Sequence, residues 1–356
     1  MKEKLKLFFK IILTLLILSV LAFSVFHFPN PIREKLMQDK RFSKLDTDIN
    51  YRIHRYYIKL VPDNAQGVGP GNTQLTVKDN EHFSFAVFGD TQMFDFPQTN
   101  NTFQQAVESL KKFHVSAVLS TGDLINRCDN NSGCADYKLW KNIMLPFMPI
   151  TYEVMGNHDH FADTLSETLW QKYFNLPTNG PDGYKELTYS FNLGNSHFII
   201  LDSEKKPGTI DLTQRNWLEN DLQKNTAENT FVFFHEPAFP ASYKVRQSLD
   251  RHSEERNTFW SIIDKYNVTA VFNGHEHAFS MEKIDSSVFP SATHSINQII
   301  IGDTDADERH DANPLPLAKY YIGHKHHFII VDVNGKNIII KLYSTDGTLI
   351  DTFNLS

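Results

Sequence analysis

Five short apolar runs, each stopped by a cluster of Gly, Asp, Asn or His, constrain the fold of this chain more than any other feature. They are residues 82–88 before Gly89-Asp90-Thr91-Gln92, 115–119 before Gly122-Asp123-Leu124-Ile125-Asn126-Arg127, and 149–154 before Gly156-Asn157-His158-Asp159. The last two are 230–234 before His235-Glu236-Pro237, and 271–273 before Gly274-His275-Glu276-His277. Apolar runs of this length, bounded by turn residues, are strands. Helical patterns separate several of them. Phe103, Val107, Leu110 and Phe113 share one helical face, and further helices are expected over 139–144, 163–174 and 254–266, with another beginning at Thr213 as its cap. Strand–helix alternation of this kind is α/β, a class that collects its polar chemistry at the carboxyl ends of the strands.

Two more strands are expected at 187–192 and 197–202. Beyond His277 the helical intervals thin out, and strands at 298–301, 327–333, 337–343 and 348–353 suggest a second, mostly antiparallel sheet. Asp303, Asp305, Asp307 and Asp311 lie among them. They do not fit a calcium loop, because Glu308 stands where glycine is needed and Pro314 where glutamate is needed, so a solvated acidic loop is expected. His324, His326 and His327 are expected as surface or rim residues.

The amino terminus has a different texture. Lys2, Lys4, Lys6 and Lys10 precede an uncharged stretch over 11–26, the pattern of a signal anchor or signal peptide. The expected organisation is therefore 1–30 as that segment, 31–80 as a juxtamembrane linker or wrapping arm, and 81–356 as the main domain, with site motifs in 81–285 and carboxyl-terminal strands in 286–356. The orientation rule puts the domain outside the cytoplasm, periplasmic or extracellular, and secretes it if the segment is cleaved. In an exported chain the only cysteines, Cys128 and Cys134, can form a disulfide. A net charge of −7 leaves no basic surplus for phosphate neutralisation, so no nucleic-acid partner is expected. Oligomeric state is not legible.

The strand ends offer Asp90, Asp123, Asn157, His235, His275 and His277. Mixed nitrogen and oxygen donors suit Zn, Mn or Fe better than Ca. The ordered set Asp90, Gly122-Asp123, Gly156-Asn157-His158-Asp159, His235 and Gly274-His275-Glu276-His277 resembles the calcineurin-like metallophosphoesterase superfamily over about 83–278. The resemblance implies a four-layer α/β/β/α sandwich of two mixed sheets, with strands after His277 completing the second sheet. It implies a binuclear centre of divalent or trivalent ions (Mn, Fe or Zn): Asp123 bridging, Asp90 and His277 at one ion, and Asn157, His235 and His275 at the other. Hydrolysis of a phosphate ester would proceed by attack of a bridging hydroxide, with His158 as the acid beside the leaving group. Arg127 is a candidate contact to phosphate oxygens.

Two positions depart from the common pattern. Gln92 stands where many members have histidine, making it a weaker, neutral candidate ligand in an Asp-x-Gln variant of the first motif. Asn126 stands where related protein phosphatases carry an aspartate that supports the catalytic histidine, which lowers the expectation of protein-phosphatase activity. Glu236, beside His235, either shifts a local pKa, contacts substrate or is solvated. The favoured reading is a phosphomonoesterase acting on a small-molecule or lipid phosphate ester, associated with the membrane through its first segment. The alternatives are a phosphodiesterase or pyrophosphatase on a lipid or nucleotide, and a non-catalytic membrane-tethered binding protein with the same fold.

Overall fold

The computed structural model describes residues 67–79, 81–92, 102–126, 128, 134–161, 163–306 and 313–355, all within the compact unit Ile58–Ser356. The expected anchor at 1–30, and most of the segment expected to follow it, lie outside the described residues. Among the described residues no helix is long and apolar enough to cross a membrane.

Two mixed sheets face each other. In the first, β1 (His82–Phe88), β2 (Ala117–Ser120) and β3 (Thr151–Tyr152) are parallel, and β11 (His327–Asn334), β12 (Asn337–Ser344) and β13 (Leu349–Asn354) extend it antiparallel from β1, giving the order β13-β12-β11-β1-β2-β3. In the second, β4 (Tyr189–Leu193), β5 (Ser196–Ile200), β6 (Asn229–Phe233), β7 (Ala270–Asn273), β8 (Phe279–Ile284), β9 (Ile296–Ile301) and β10 (Ala318–Ile322) lie in the order β10-β8-β9-β7-β6-β5-β4. Strands β5, β6, β7 and β9 are mutually parallel.

Period-two alternation decides which side chains go where. Phe231 and Phe233 of β6 point between the sheets, whereas Val232 and Phe234 join a separate core under the outer helices. Strand β5 divides the same way, Phe198 and Ile200 inward and Ile199 and Leu201 outward. Phe85 of β1 meets Phe198 at 5.1 Å and Phe231 at 5.3 Å, ring centre to ring centre, so an aromatic cluster forms the seam between the sheets. Helices α1 (Thr102–Leu110), α2 (Ala135–Met144) and α3 (Asp163–Tyr173) cover the first sheet, with Phe103 and Trp140 packed on Phe88. Helices α4 (Leu212–Lys224) and α5 (Ser253–Lys265) cover the second through Leu218, Leu222, Phe259, Trp260 and Ile263. The result is the four-layer α/β/β/α sandwich.

Four expectations change. The strands after His277 do not make one sheet: β8, β9 and β10 extend the second, while β11 turns back to pair with β1, Val87 opposite Ile329. Strands β8 and β10 carry no clean apolar signal, because β8 buries Glu282 and β10 is only partly buried. The α4 cap is Asp211, whose side chain accepts from the Gln214 N–H, rather than Thr213. The acidic loop is not wholly solvated: Asp303 is fully buried and 2.7 Å from His326 Nδ1, and burial pushes Asp305 up to about 6. Asp307 and Asp311 lie outside the described residues. Of the histidines expected on the surface, His324 is exposed but His327 is buried against Phe279.

Residues 67–79 lie on the domain. The Gly71 N–H donates to the Asn175 carbonyl, Asn72 bonds Thr178, and Val68, Leu75 and Val77 pack on the inter-sheet core. Cys128 and Cys134 are joined in a disulfide, both buried, which closes the loop preceding α2.

Candidate metal centre

The parallel strands of each sheet deliver their carboxyl ends to one edge, and there the turn residues converge. Asp90, Asp123 and His235 offer three donor atoms all within 4.8 Å of one another, and all three residues are buried. The backbone is bent to achieve this. Asp90 and Asp123 sit at φ 51° and His275 at φ 69°, left-handed conformations that non-glycine residues adopt rarely and that concentrate at functional sites. Close approach explains two glycines: a Cβ on Gly156 would lie 2.2 Å from Asp123 Oδ1, and one on Gly274 would lie 2.4 Å from Asp90 Oδ2.

Hydrogen bonds preset which ring nitrogen faces the centre. His235 Nδ1 is 2.8 Å from the Thr121 carbonyl oxygen, to which it donates, so its Nε2 turns inward, 3.3 Å from Asp123 Oδ2 and 3.1 Å from Asn157 Oδ1. His275 is reversed. Its Nε2 donates to the Gln247 carbonyl at 3.0 Å, and its Nδ1 lies 2.8 Å from Asn157 Oδ1. Two imidazole nitrogens, an amide oxygen and a carboxylate oxygen therefore meet at one point. On the other side, His277 Nε2 is 3.6 Å from Asp90 Oδ1. Gln92 is buried here as well; its Nε2 donates to the same Asp123 Oδ2, while its Oε1 is buried with no hydrogen-bond partner. An unsatisfied amide oxygen beside two buried carboxylates is the arrangement a cation completes.

The charge balance agrees. Burial raises Asp90 well above the usual carboxylate range, against the opposing pull of His235. Burial also pushes Asp123 up, but His235 and His158 outweigh it and leave that carboxyl below its ordinary value. His235 is held well above the usual imidazole range: burial opposes its charge, and Asp123 and Asp90 overcome that. The raised direction marks positive charge that these carboxylates call for; a bound cation would supply it instead, leaving His235 neutral with Nε2 free to ligate. The donor set fits a divalent or trivalent ion of the Mn, Fe or Zn type.

His158 is partly buried. Its backbone N–H donates to Asp123 Oδ1 at 2.8 Å, and its Nδ1 lies 3.1 Å from both the carbonyl and the side-chain oxygen of Asn126. Asn126 therefore orients the ring through its oxygens without a formal charge. Arg127 lies outside the described residues. Glu236 is not solvated: it is buried, it accepts from Arg251 Nη2 at 2.9 Å, and burial, opposed by Arg251, pushes it up to about 7.

Other residues of the centre had been given no role. Asp159 Oδ2 accepts from the Leu124 and Gly156 N–H groups, and its Oδ1 from the Tyr137 hydroxyl, so it ties two of the turns together. Asp303 repeats the position of Asp90: Gly302-Asp303-Thr304 follows β9 as Gly89-Asp90-Thr91 follows β1. The Thr304 N–H donates to the Gly89 carbonyl. That repeated tripeptide is the signal that could have found it. Tyr243 and Gln247 touch the two histidines of the fifth motif from a loop of no regular pattern.

A family model described as calcineurin-like phosphoesterase matches residues 83–279. Purple acid phosphatase 13 of Arabidopsis thaliana is 31% identical over 138 residues, 36% of this chain and 24% of that protein. A phosphoenolpyruvate phosphatase of Allium cepa is 26% identical over 240 residues, 63% of this chain and 47% of its own length. The chain thus spans less than half the length of either relative. Among solved structures, a purple acid phosphatase from yellow lupin (Lupinus luteus) seeds superposes with a TM-score of 0.59 at 18% identity, covering 77% of this chain and 53% of its own. The structure of PhoD does so with a TM-score of 0.56 at 15% identity, covering 80% and 73%. Both likenesses establish the fold.

Proposed function

The chain belongs to the calcineurin-like phosphoesterase family, and on that premise we propose that it is a phosphomonoesterase whose centre holds two divalent or trivalent ions, Mn, Fe or Zn. Asp90, Gln92 and His277 would hold one ion, Asn157, His235 and His275 the other, and Asp123 both. The observation that carries this reading is the placement of Asp123 Oδ2, which accepts from Gln92 Nε2 on one side and lies 3.3 Å from His235 Nε2 on the other. When bound, such a pair of ions neutralises phosphoryl oxygens and lowers the pKa of water.

The chain's own residues supply orientation and the proton. The carbonyls of Thr121 and Gln247 fix the two imidazoles in complementary tautomers. With Nδ1 of His158 donating to Asn126, Nε2 is the atom that gives its proton to the departing alkoxide. Arg127 is the proposed contact to the phosphate oxygens. One relative is named for phosphoenolpyruvate, itself a phosphate monoester, which favours the monoester over the diester. The Cys128–Cys134 disulfide favours an oxidising compartment, hence a catalytic domain outside the cytoplasm, with segment 1–30 as the element that would carry it there or anchor it.

The test is hydrolysis by the full chain stripped of metal and resupplied separately with Mn, Fe, Zn and Mg, on an aryl phosphate monoester and the matching diester. Metal-dependent monoester turnover, lost in Asp123→Ala, is the expected outcome. Preference for the diester would favour a phosphodiesterase. Bound metal without turnover of either ester would favour a non-catalytic binding protein.

A further inference from the structure

The loop between β6 and α5 is tied to the centre at several points. The Ala241 N–H donates to Glu276 Oε1 at 2.9 Å and the Ser242 hydroxyl to Glu276 Oε2 at 2.5 Å. Tyr243 accepts at its hydroxyl from the His277 N–H at 2.9 Å, and Gln247 accepts at its carbonyl from His275 Nε2. Lys244 sits between these anchors. Its carbonyl accepts from the Gln247 N–H at 2.9 Å and from the Ser248 hydroxyl at 3.3 Å, so its backbone is held by a turn fixed at both ends.

The side chain of Lys244 is only partly exposed, and its ammonium is 5.7 Å from the centre of the Tyr243 ring, the ring whose hydroxyl touches His277. Two nearby cations are committed elsewhere: Arg251 to Glu236, and Arg256 to the Ala238 carbonyl and the Phe239 ring. No carboxylate among the described residues lies within ion-pairing distance of the Lys244 ammonium.

A cation with no ion-paired carboxylate among the described residues, on the loop that touches both histidines of the fifth motif, has a natural counterpart. A phosphate monoester is close to a dianion at neutral pH, because its second pKa is about 6, whereas a diester carries a single charge. The extra anionic oxygen is what distinguishes the two, and an ammonium recognises it as a point charge. We propose that Lys244 selects a phosphate monoester over a diester by placing its ammonium against the anionic oxygen that only the monoester carries. This rests on the reading of the centre as a phosphoesterase.

The test uses the metal-loaded full chain, with p-nitrophenyl phosphate and bis(p-nitrophenyl) phosphate as substrates. In Lys244→Gln the KM for the monoester, and the inhibition constant of inorganic phosphate, rise about 10- to 100-fold, the value of one charge-assisted hydrogen bond. The KM for the diester stays within about twofold, since a side chain that does not touch the substrate contributes little. Bound metal, counted by mass spectrometry, is unchanged, and Lys244→Arg restores most of the monoester affinity. An equal rise for both esters, no rise for either, or loss of bound metal overturns the proposal. Should the wild-type chain turn over neither ester, the phosphomonoesterase reading fails. Calorimetric binding of inorganic phosphate then decides Lys244 separately: weaker binding in Lys244→Gln supports its role, and equal binding overturns it.

Discussion

The carbonyl oxygen of Gln247 lies 3.0 Å from Nε2 of His275, and the same oxygen accepts a second hydrogen bond from Nη2 of Arg251. The tautomer of His275, and so the nitrogen it presents to the centre, is set by a backbone oxygen on a loop outside both sheets. Arg251 in turn donates to both carboxylate oxygens of Glu236, the residue after His235. One guanidinium thus braces both imidazoles of the proposed second ion site.

Arg251→Ala removes that brace and leaves a buried carboxylate without its cation. Support of this kind around a ligating histidine is worth about 10- to 100-fold in metal affinity. The expected result is weaker binding of one ion per chain by about that factor, measured by competitive titration against a chromophoric chelator. The affinity of the ion proposed for Asp90 and His277 stays close to wild type.

His158→Gln keeps a polar group beside Asn126 but cannot deliver a proton. General acid catalysis contributes about 10²- to 10⁴-fold, so kcat for an alkyl phosphate falls by a factor in that range. The fall is smaller for an aryl phosphate whose leaving group needs no proton. Steady-state kinetics on a leaving-group series checks this, with unchanged metal content as the control.

Glu282 gives a pH dependence of stability. It is buried in β8 beside Gln298, and burial raises its pKa from 4.5 to about 8. Its folded-state pKa exceeds the unfolded value, so its stabilising contribution is complete below pH 4.5 and is lost as pH rises towards 8. Relative to Glu282→Gln, the wild-type protein loses up to about 1.4 kcal/mol per pH unit across that window. Urea unfolding of both proteins at pH 5, 7 and 9 reads it: the difference moves in favour of the glutamine variant up to about pH 8 and is flat beyond.

The residues brought together at the centre were legible because each ends an apolar run, and parallel strands bring their carboxyl ends to one edge. Asp90, Asp123, Asn157, His235, His275 and His277 all announce themselves this way. The loop that braces them does not. Gln247 acts through a carbonyl that any residue would possess, so its side-chain identity carries no signal. Arg251 and Glu236 are far enough apart in sequence that neither reads as the other's partner. The alternation in β11, β12 and β13 identifies strands but not the sheet they join, since an apolar face fits either side of the Phe85 seam. Asp303 was concealed by the other aspartates of its loop, whose number suggested solvent rather than the buried pairing with His326.

The most direct measurement is metal stoichiometry against activity. Metal-stripped full chain is titrated with Mn or Zn while monoester hydrolysis is followed, in wild type and in Asp123→Ala. The account predicts that turnover saturates at two ions per chain, and that Asp123→Ala neither retains both ions nor recovers turnover at any metal concentration. Full turnover of the stripped chain, or an Asp123→Ala protein that binds and hydrolyses as wild type does, would contradict it.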